Sequence, residues 1–164
     1  MLKFGGGFTN MVFVTLGTQK QSFKRLLDYI EESSLDDEII VQAGHTKYES
    51  KKMKIFDFID YETMGEYLKK ADLIITHGGT GSVVTPLKLG KKIIGCARLS
   101  KYGEHVDDHQ TELVGIFADE GYILEIKDGE TLDYILKRLE KFNPKEYKSN
   151  THNFINRLRI EINR

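Results

Sequence analysis

The chain carries one stretch whose residue types and spacing could bind an anion: Ile74-Ile75-Thr76-His77-Gly78-Gly79-Thr80-Gly81-Ser82. A short apolar run, Asp72 to Ile75, reads as a buried strand. It ends abruptly in glycines and small hydroxyl residues, and a helical pattern follows from Val83 to Leu89, closed by Gly90. A strand, a glycine-rich turn and a helix in this order aim backbone N–H groups and a helix dipole at a negative charge. Glycine lets the backbone approach the ligand with no Cβ in the way. The expected chemistry at His77, Gly78, Gly79, Thr80, Gly81 and Ser82 is therefore phosphate binding. A tightly packed crossover is the plainer alternative. The G-G-x-G spacing is not the G-x-G-x-x-G of a dinucleotide site, and no acidic residue stands about 20 positions on to hold a ribose. The Gly-Lys-Ser/Thr of a nucleotide-triphosphate loop is also missing.

Two further groups could contribute. Gly17 and Thr18 follow a strand pattern and precede a helix, so their N–H and hydroxyl groups could take a second phosphate oxygen or simply form a turn and cap. A polar loop runs from Arg98 through Glu104, His105, Asp107, Asp108 and His109 to Gln110. His105 and His109 are four apart and could share a metal on a helix, but no third ligand is spaced to complete the site, so no metal is expected. Asp, His and Gln match the donors and acceptors of sugar hydroxyls. A solvated helix start, with its acids near the dipole, explains the loop equally well. Arg98 and Lys101 could balance a diphosphate or remain solvated. His77 could contact phosphate, act as a base or pack in its loop, and chemistry alone does not rank these roles.

The elements that must position these groups alternate between β and α. Strand patterns fall at Val12–Leu16, Glu38–Gln42, Ile55–Ile59, Leu73–Thr76, Ile93–Ala97 and Tyr122–Ile126. Helical spacing recurs in Phe23, Leu26, Leu27 and Ile30, with Ser22 as cap, and in Met64, Leu68 and Ala71. It recurs again over Val83–Leu89, with Pro86 in the first turn, over His109–Glu120, and over Leu132–Phe142. Apolar strands alternating with helices imply an α/β fold, a Rossmann-like parallel sheet covered on both faces. Ligands of such sheets bind outside the carboxyl ends of the strands, where the loops above would share a pocket.

Three parts are expected. Residues 1–10, with Gly5-Gly6-Gly7, read as an extension, and Met11 could be the natural start. Residues 11–142 form the domain. Residues 143–164, after the break at Pro144, carry Phe154, Ile155, Leu158 and Ile162 as an apolar stripe that either docks a partner or packs on its own sheet. The 164 residues suffice for one core. With 24 basic and 25 acidic residues, the charge balance argues against a nucleic-acid binder. No apolar run reaches the length of a membrane span, and no signal peptide is evident. The single cysteine, Cys96, lies in a strand pattern as a core residue, which favours a reducing cytoplasm.

Three ordered segments resemble the C-terminal, donor-binding half of GT-B glycosyltransferases of family 28. They are Met11-Val12-Phe13-Val14-Thr15-Leu16-Gly17-Thr18-Gln19, the run Ala71 to Ser82, and Lys101-Tyr102-Gly103-Glu104-His105-Val106-Asp107-Asp108-His109-Gln110. The resemblance is strongest to small stand-alone subunits of two-chain bacterial capsule and exopolysaccharide galactosyl- or glucuronosyltransferases. The catalytic subunit of the dolichol-pathway N-acetylglucosaminyltransferase is related. The resemblance implies that the loops at Gly17-Thr18 and Gly79 to Ser82 hold the diphosphate of a UDP-sugar. It implies that Phe58-Ile59 reads uracil through its backbone and that His109-Gln110 holds the donor sugar's hydroxyls. Where relatives often carry a ribose-gripping acid, this chain has Thr85, and the proline common before Arg98 is absent.

The implied function is inverting transfer, without metal, of a sugar such as galactose or glucuronate from UDP to a lipid-linked acceptor. A membrane-associated partner subunit would bind that acceptor at the inner face of the membrane and bring the general base. A non-catalytic nucleotide-sugar-binding subunit using the same pocket is the alternative.

Overall fold

The computed structural model describes residues 10–148 together with Asn156 and Ile160. Residues 1–9 of the proposed extension 1–10 and the apolar stripe Phe154, Ile155, Leu158 and Ile162 lie outside the described residues, whereas Asn10 O accepts from Glu38 N at 3.2 Å.

Six parallel strands form one sheet in the order β3-β2-β1-β4-β5-β6. They are β1 (Met11–Thr15), β2 (Glu38–Gln42), β3 (Met53–Phe56), β4 (Leu73–Thr76), β5 (Lys92–Gly95) and β6 (Leu124–Glu125). The connecting helices are α1 (Lys24–Glu31), α2 (Tyr61–Lys70), α3 (Thr80–Lys88), α4 (His109–Asp119) and α5 (Leu132–Leu139). Successive strand residues face opposite sides of a sheet, and the core divides accordingly. Val12, Val14, Ile39, Val41 and Ile75 pack with α1 and α5 on one face. Met11, Phe13, Ile40, Ile74 and Ile93 pack with α2, α3 and α4 on the other. Both faces are buried, as a parallel sheet requires.

Register sets the site. Thr15 lies opposite both Gln42 and Thr76, Gln42 opposite Phe56, and Thr76 opposite Gly95. Gly95 in turn lies opposite Glu125, so all six strands end on one row, and their loops leave from a common edge. Strand order reverses direction between β1 and β4, which opens a crevice there.

Several boundaries differ from the sequence reading. β3 ends at Phe56, because the ladder gives way to a side chain: Ile59 N–H donates to Gln42 Oε1 at 3.0 Å. Phe58 and Ile59 thus form a loop, and Asp60 caps α2 by accepting from Thr63 N. Ser22 is not a cap. Phe23 occupies that position without a side-chain cap bond, and its own N–H donates to Thr46 Oγ1 at 2.9 Å. α3 begins at Thr80, so Pro86 falls near its end, where the missing N–H costs only one terminal bond. The helix stops two residues later, and Gly90 reverses the chain at φ 71°. β5 ends at Gly95, which leaves Cys96 and Ala97 to start the polar loop. β6 pairs through only two residues, and Tyr122 and Ile123 serve as core instead.

Gly78 shows how tightly the anion loop is packed. Its φ is 87°, and a Cβ there would meet Val114 Cγ2 at 2.1 Å. Left-handed strain plus overpacking gives an expected loss of about 2–4 kcal/mol for Gly78→Ala. Adding Val114→Ala should recover part of that loss through a coupling of about 0.5 kcal/mol or more, read by denaturant unfolding. Strict additivity of the two substitutions would show that the contact is not limiting.

Candidate functional site

A crevice of about 890 Å³ opens at the switch point. One wall is the loop after β1, with Gly17, Thr18 and Gln19; the other is His77 with Gly79, Thr80, Gly81 and Ser82. Thr85 and Pro86 extend the second wall along α3, and the floor includes Phe13 and Thr15.

The start of α3 gives the crevice its chemistry. Gly79 is the N-cap and supplies no side-chain cap bond. Among the described residues, no acceptor faces the N–H groups of Gly79, Thr80, Gly81 and Ser82, and the first bonded amide is Val83, to Gly79 O at 3.1 Å. Free amides at an N-terminus, with the dipole behind them, form an anion site. Ser82 braces the turn: its Oγ donates to Gly79 O at 2.7 Å and accepts from Thr76 Oγ1 at 2.8 Å. Gly81 has open space around it, with nothing within 4 Å of an added Cβ.

His77 sits between the two glycine loops. A Cβ on Gly17 would lie 2.7 Å from His77 Nε2, and one on Gly79 would lie 2.6 Å from Cε1. Glycine at both positions is what lets the ring enter. Burial, with the Arg98 guanidinium adding to it, pulls the His77 pKa down to about 4. The imidazole is therefore neutral at physiological pH.

The polar loop divides differently from expectation. Arg98 is fully buried and does not face a ligand. Its Nη1 donates to Gln21 O at 2.7 Å and Glu104 O at 2.9 Å, its Nη2 donates to Leu16 O at 2.6 Å, and its guanidinium lies 4.9 Å from the Phe23 ring. Glu104 is also buried and clamps Arg25, with Oε1 on Nε at 2.9 Å and Oε2 on Nη2 at 2.8 Å. Both expected ligand contacts are thereby corrected to structural roles, since the two Arg98 Nη groups and the Glu104 carboxylate bond the protein, and only Arg98 Nε is left without a partner among the described residues. Asp108 accepts from Ser100 N and Oγ at 2.8 and 3.0 Å, and those bonds hold its carboxyl below the usual range. His105 Nδ1 lies 3.3 Å from Asp107 N, and the ring is partly buried. His109 opens α4 and is exposed. Lys101 pairs with Asp128 at 2.6 Å. Gln110 turns inward: Oε1 accepts from Arg98 N at 3.2 Å and Nε2 meets His77 Nδ1 at 3.1 Å. Both ends of the amide assigned to sugar hydroxyls are engaged within the protein.

Phe58 is exposed at this edge, with its ring edge-on to His45 at 5.3 Å. Gln42, Tyr61, Glu62, Met64 and Gly65 also line the crevice and were not singled out from sequence. Gln42 carries a readable signal, a polar residue closing an otherwise apolar strand. α2 carries none beyond its helical spacing. The described residues contain no cluster of three or more His, Cys, Asp or Glu able to hold a metal. No helix among them is long and apolar enough to cross a membrane.

Residues 11–162 match the profile of the glycosyltransferase family 28 C-terminal domain, well past Phe142. A yeast protein, the UDP-N-acetylglucosamine transferase subunit ALG13 of Saccharomyces cerevisiae, is 33% identical over 82 residues, covering 49% of this chain and 38% of its own length. The chain spans between 38% and 60% of the length of the curated relatives it matches. In three dimensions, the NMR solution structure of ALG13 superposes with TM-score 0.60 at 21% identity, over 91% of this chain and 94% of that one. The glycosyltransferase SnogD from Streptomyces nogalater superposes with TM-score 0.57 at 19% identity, over 98% of this chain and 41% of that one. These likenesses place the fold among the C-terminal halves of GT-B glycosyltransferases.

The depressed His77 pKa makes a sign-definite prediction. Unfolded, the ring takes a proton near pH 6.5; folded, it does so near 4. Below 6.5 the unfolded state binds the extra proton, so this group's contribution falls as pH drops from 6.5 toward 4 and is constant above. The full loss is about 3 kcal/mol. Unfolding free energy measured against pH should fall less steeply in His77→Gln than in wild type across that window. Parallel curves would rule out a neutral buried ring.

Proposed function

Since the chain belongs to glycosyltransferase family 28, whose C-terminal domain it carries, we propose that it is the donor-binding part of an inverting sugar transferase that uses a UDP-sugar. The observation that carries this reading is the uncapped start of α3, where four residues without a bonded amide among the described contacts line the crevice beside Gly17 and Thr18. In this reading the diphosphate lies across Gly79 to Ser82, and the nucleoside extends toward Phe58 and Ile59. The acceptor hydroxyl attacks the anomeric carbon from the face opposite the departing UDP, which inverts the centre. Amides and dipole stabilise the charge that develops on the leaving diphosphate, so no metal is needed. His77, with a pKa near 4, is a poor base at neutral pH, and the general base is assigned to a partner.

The curated relatives are named as subunits, which supports a partner chain. We assign it a membrane-associated chain that presents a lipid-linked acceptor, with this chain held at the cytoplasmic face through it. The curated relatives are named as UDP-N-acetylglucosamine transferase subunits, so UDP-N-acetylglucosamine is the first donor to test. UDP-galactose and UDP-glucuronate, with a capsule or exopolysaccharide acceptor, come from the sequence resemblance alone and draw no support from those relatives.

Gly81→Val tests the site. The position is open, so the variant should fold with an unchanged thermal transition. A branched side chain would nonetheless keep a phosphate from the amides. Lost bonds to a charged group are worth about 1.5–3 kcal/mol each, so calorimetry should show UDP affinity reduced at least about tenfold. Wild-type binding should persist in chelator. Unchanged UDP affinity in the variant would remove the diphosphate from the start of α3.

Transfer activity is expected only with the partner chain present. Binding of UDP-sugar without turnover, even in a reconstituted pair, would favour the non-catalytic reading.

A further inference from the structure

We propose that Gln110 is a positioning residue that fixes the tautomer of His77, so that the ring presents Nε2–H to an anion in the crevice. The argument is a chain of donors and acceptors. Arg98 N–H can only donate, so the Gln110 atom it meets at 3.2 Å must be the carbonyl Oε1. That orientation places Nε2 of the amide, a donor, against His77 Nδ1 at 3.1 Å. Nδ1 must therefore accept, and the single proton of the neutral ring lies on Nε2. A flipped amide would set two donors against each other at Arg98.

The Nε2–H so defined is under-used within the protein. Ser82 Oγ is 3.4 Å away, longer than an ordinary hydrogen bond, and already donates to Gly79 O and accepts from Thr76 Oγ1. Nε2 lies against Gly17, at the junction of the two loops that wall the crevice. An anion there gains a neutral, oriented donor. Of the groups around the ring, Arg98 and His105 both disfavour its cation, while the β1 loop and α3 contribute uncharged Gly17, Gly79 and Ser82. The anion part rests on the diphosphate reading above; the tautomer part does not.

The test uses ¹⁵N-labelled chain and long-range ¹H–¹⁵N correlation spectra, with His77→Gln for assignment. Wild type without ligand should carry its proton on Nε2. In Gln110→Glu the carboxylate cannot donate, and the proton should move to Nδ1. Binding of UDP-N-acetylglucosamine, whose diphosphate diester does not titrate near neutral pH, supplies the second readout. Affinity at pH 7.5 should be at least about tenfold weaker in Gln110→Glu and recover in part at pH 5.5, where the ring takes a second proton. Wild type should change less over the same interval.

A wild-type proton on Nδ1, or an Nε2–H retained in Gln110→Glu, overturns the proposal. Should Gln110→Glu not fold, Gln110→Met replaces it and should show a smaller Nε2–H population. Wild type with the expected tautomer but no affinity for any UDP-sugar overturns the diphosphate reading and the anion part with it, leaving the tautomer confirmed.

Discussion

One buried cation organises the site without touching it. Arg98 reaches from the end of β5 to carbonyls of Leu16, Gln21 and Glu104, three points on two different loops. Each of these carbonyls accepts a charge-assisted bond. The guanidinium rests on Phe23, and burial lowers its pKa only to about 10, so it remains a cation. Lysine offers a point charge in place of a planar fork and could not span the same three oxygens. Glu104 completes the arrangement: its carbonyl receives Arg98, while its carboxylate holds Arg25 and Leu99 N. The loops after β1 and β5 are thereby fixed to one another. Through its backbone N–H, Arg98 also orients Gln110, and Gln110 in turn meets His77.

This arrangement leaves the crevice wall around the anion loop without a committed cation. The nearest buried positive charge is spent on carbonyls, and His77 is neutral. On that wall an anion meets the start of α3, worth roughly half a positive charge, with free amides and hydroxyls around it, while across the crevice α2 contributes Lys69. Such a site is preorganised yet modest in attraction. That combination suits a ligand whose diphosphate must be held while it gains charge and then released, because tight binding of the product would slow turnover.

The fold was readable because its strands are apolar on both faces. Runs such as Val12–Leu16 and Leu73–Thr76 have no use on a solvated sheet, and the alternation with helices leaves few topologies. The glycine loop was readable as a strand-to-helix turn for a related reason, since its glycines and small hydroxyl residues break the apolar run at Thr76 and lead into α3 at Thr80. Side-chain destinations were not readable. Arg98, Glu104 and Gln110 are polar residues in a polar loop, and composition cannot distinguish a solvated group from one that turns inward to bond backbone carbonyls. The choice depends on Phe23, Leu16 and Gln21, which are distant in sequence. The end of β3 escaped for the same reason: nothing in Ile55–Ile59 shows that the Gln42 side chain will replace the next ladder bond. Pro86 was misplaced because apolar spacing begins at Val83, whereas α3 begins at the three small residues before it.

The crevice is also one-sided in a way that bears on chemistry. Along α2 it is lined by Tyr61, which is 95% exposed, whereas Phe58 and Ile59 lie outside its lining. Transfer of a glycosyl group to a hydroxyl competes with transfer to water, and a site that holds only the donor does nothing to exclude the latter. The physical requirement is a second surface that closes over the anomeric carbon and brings the acceptor with its base. In the proposed reading, this Rossmann-like domain supplies the leaving-group side of the reaction: the start of α3 and a rigid frame built on Arg98. The selectivity for an acceptor over water must then reside in whatever closes the crevice, and the two halves of the chemistry are separable for that reason.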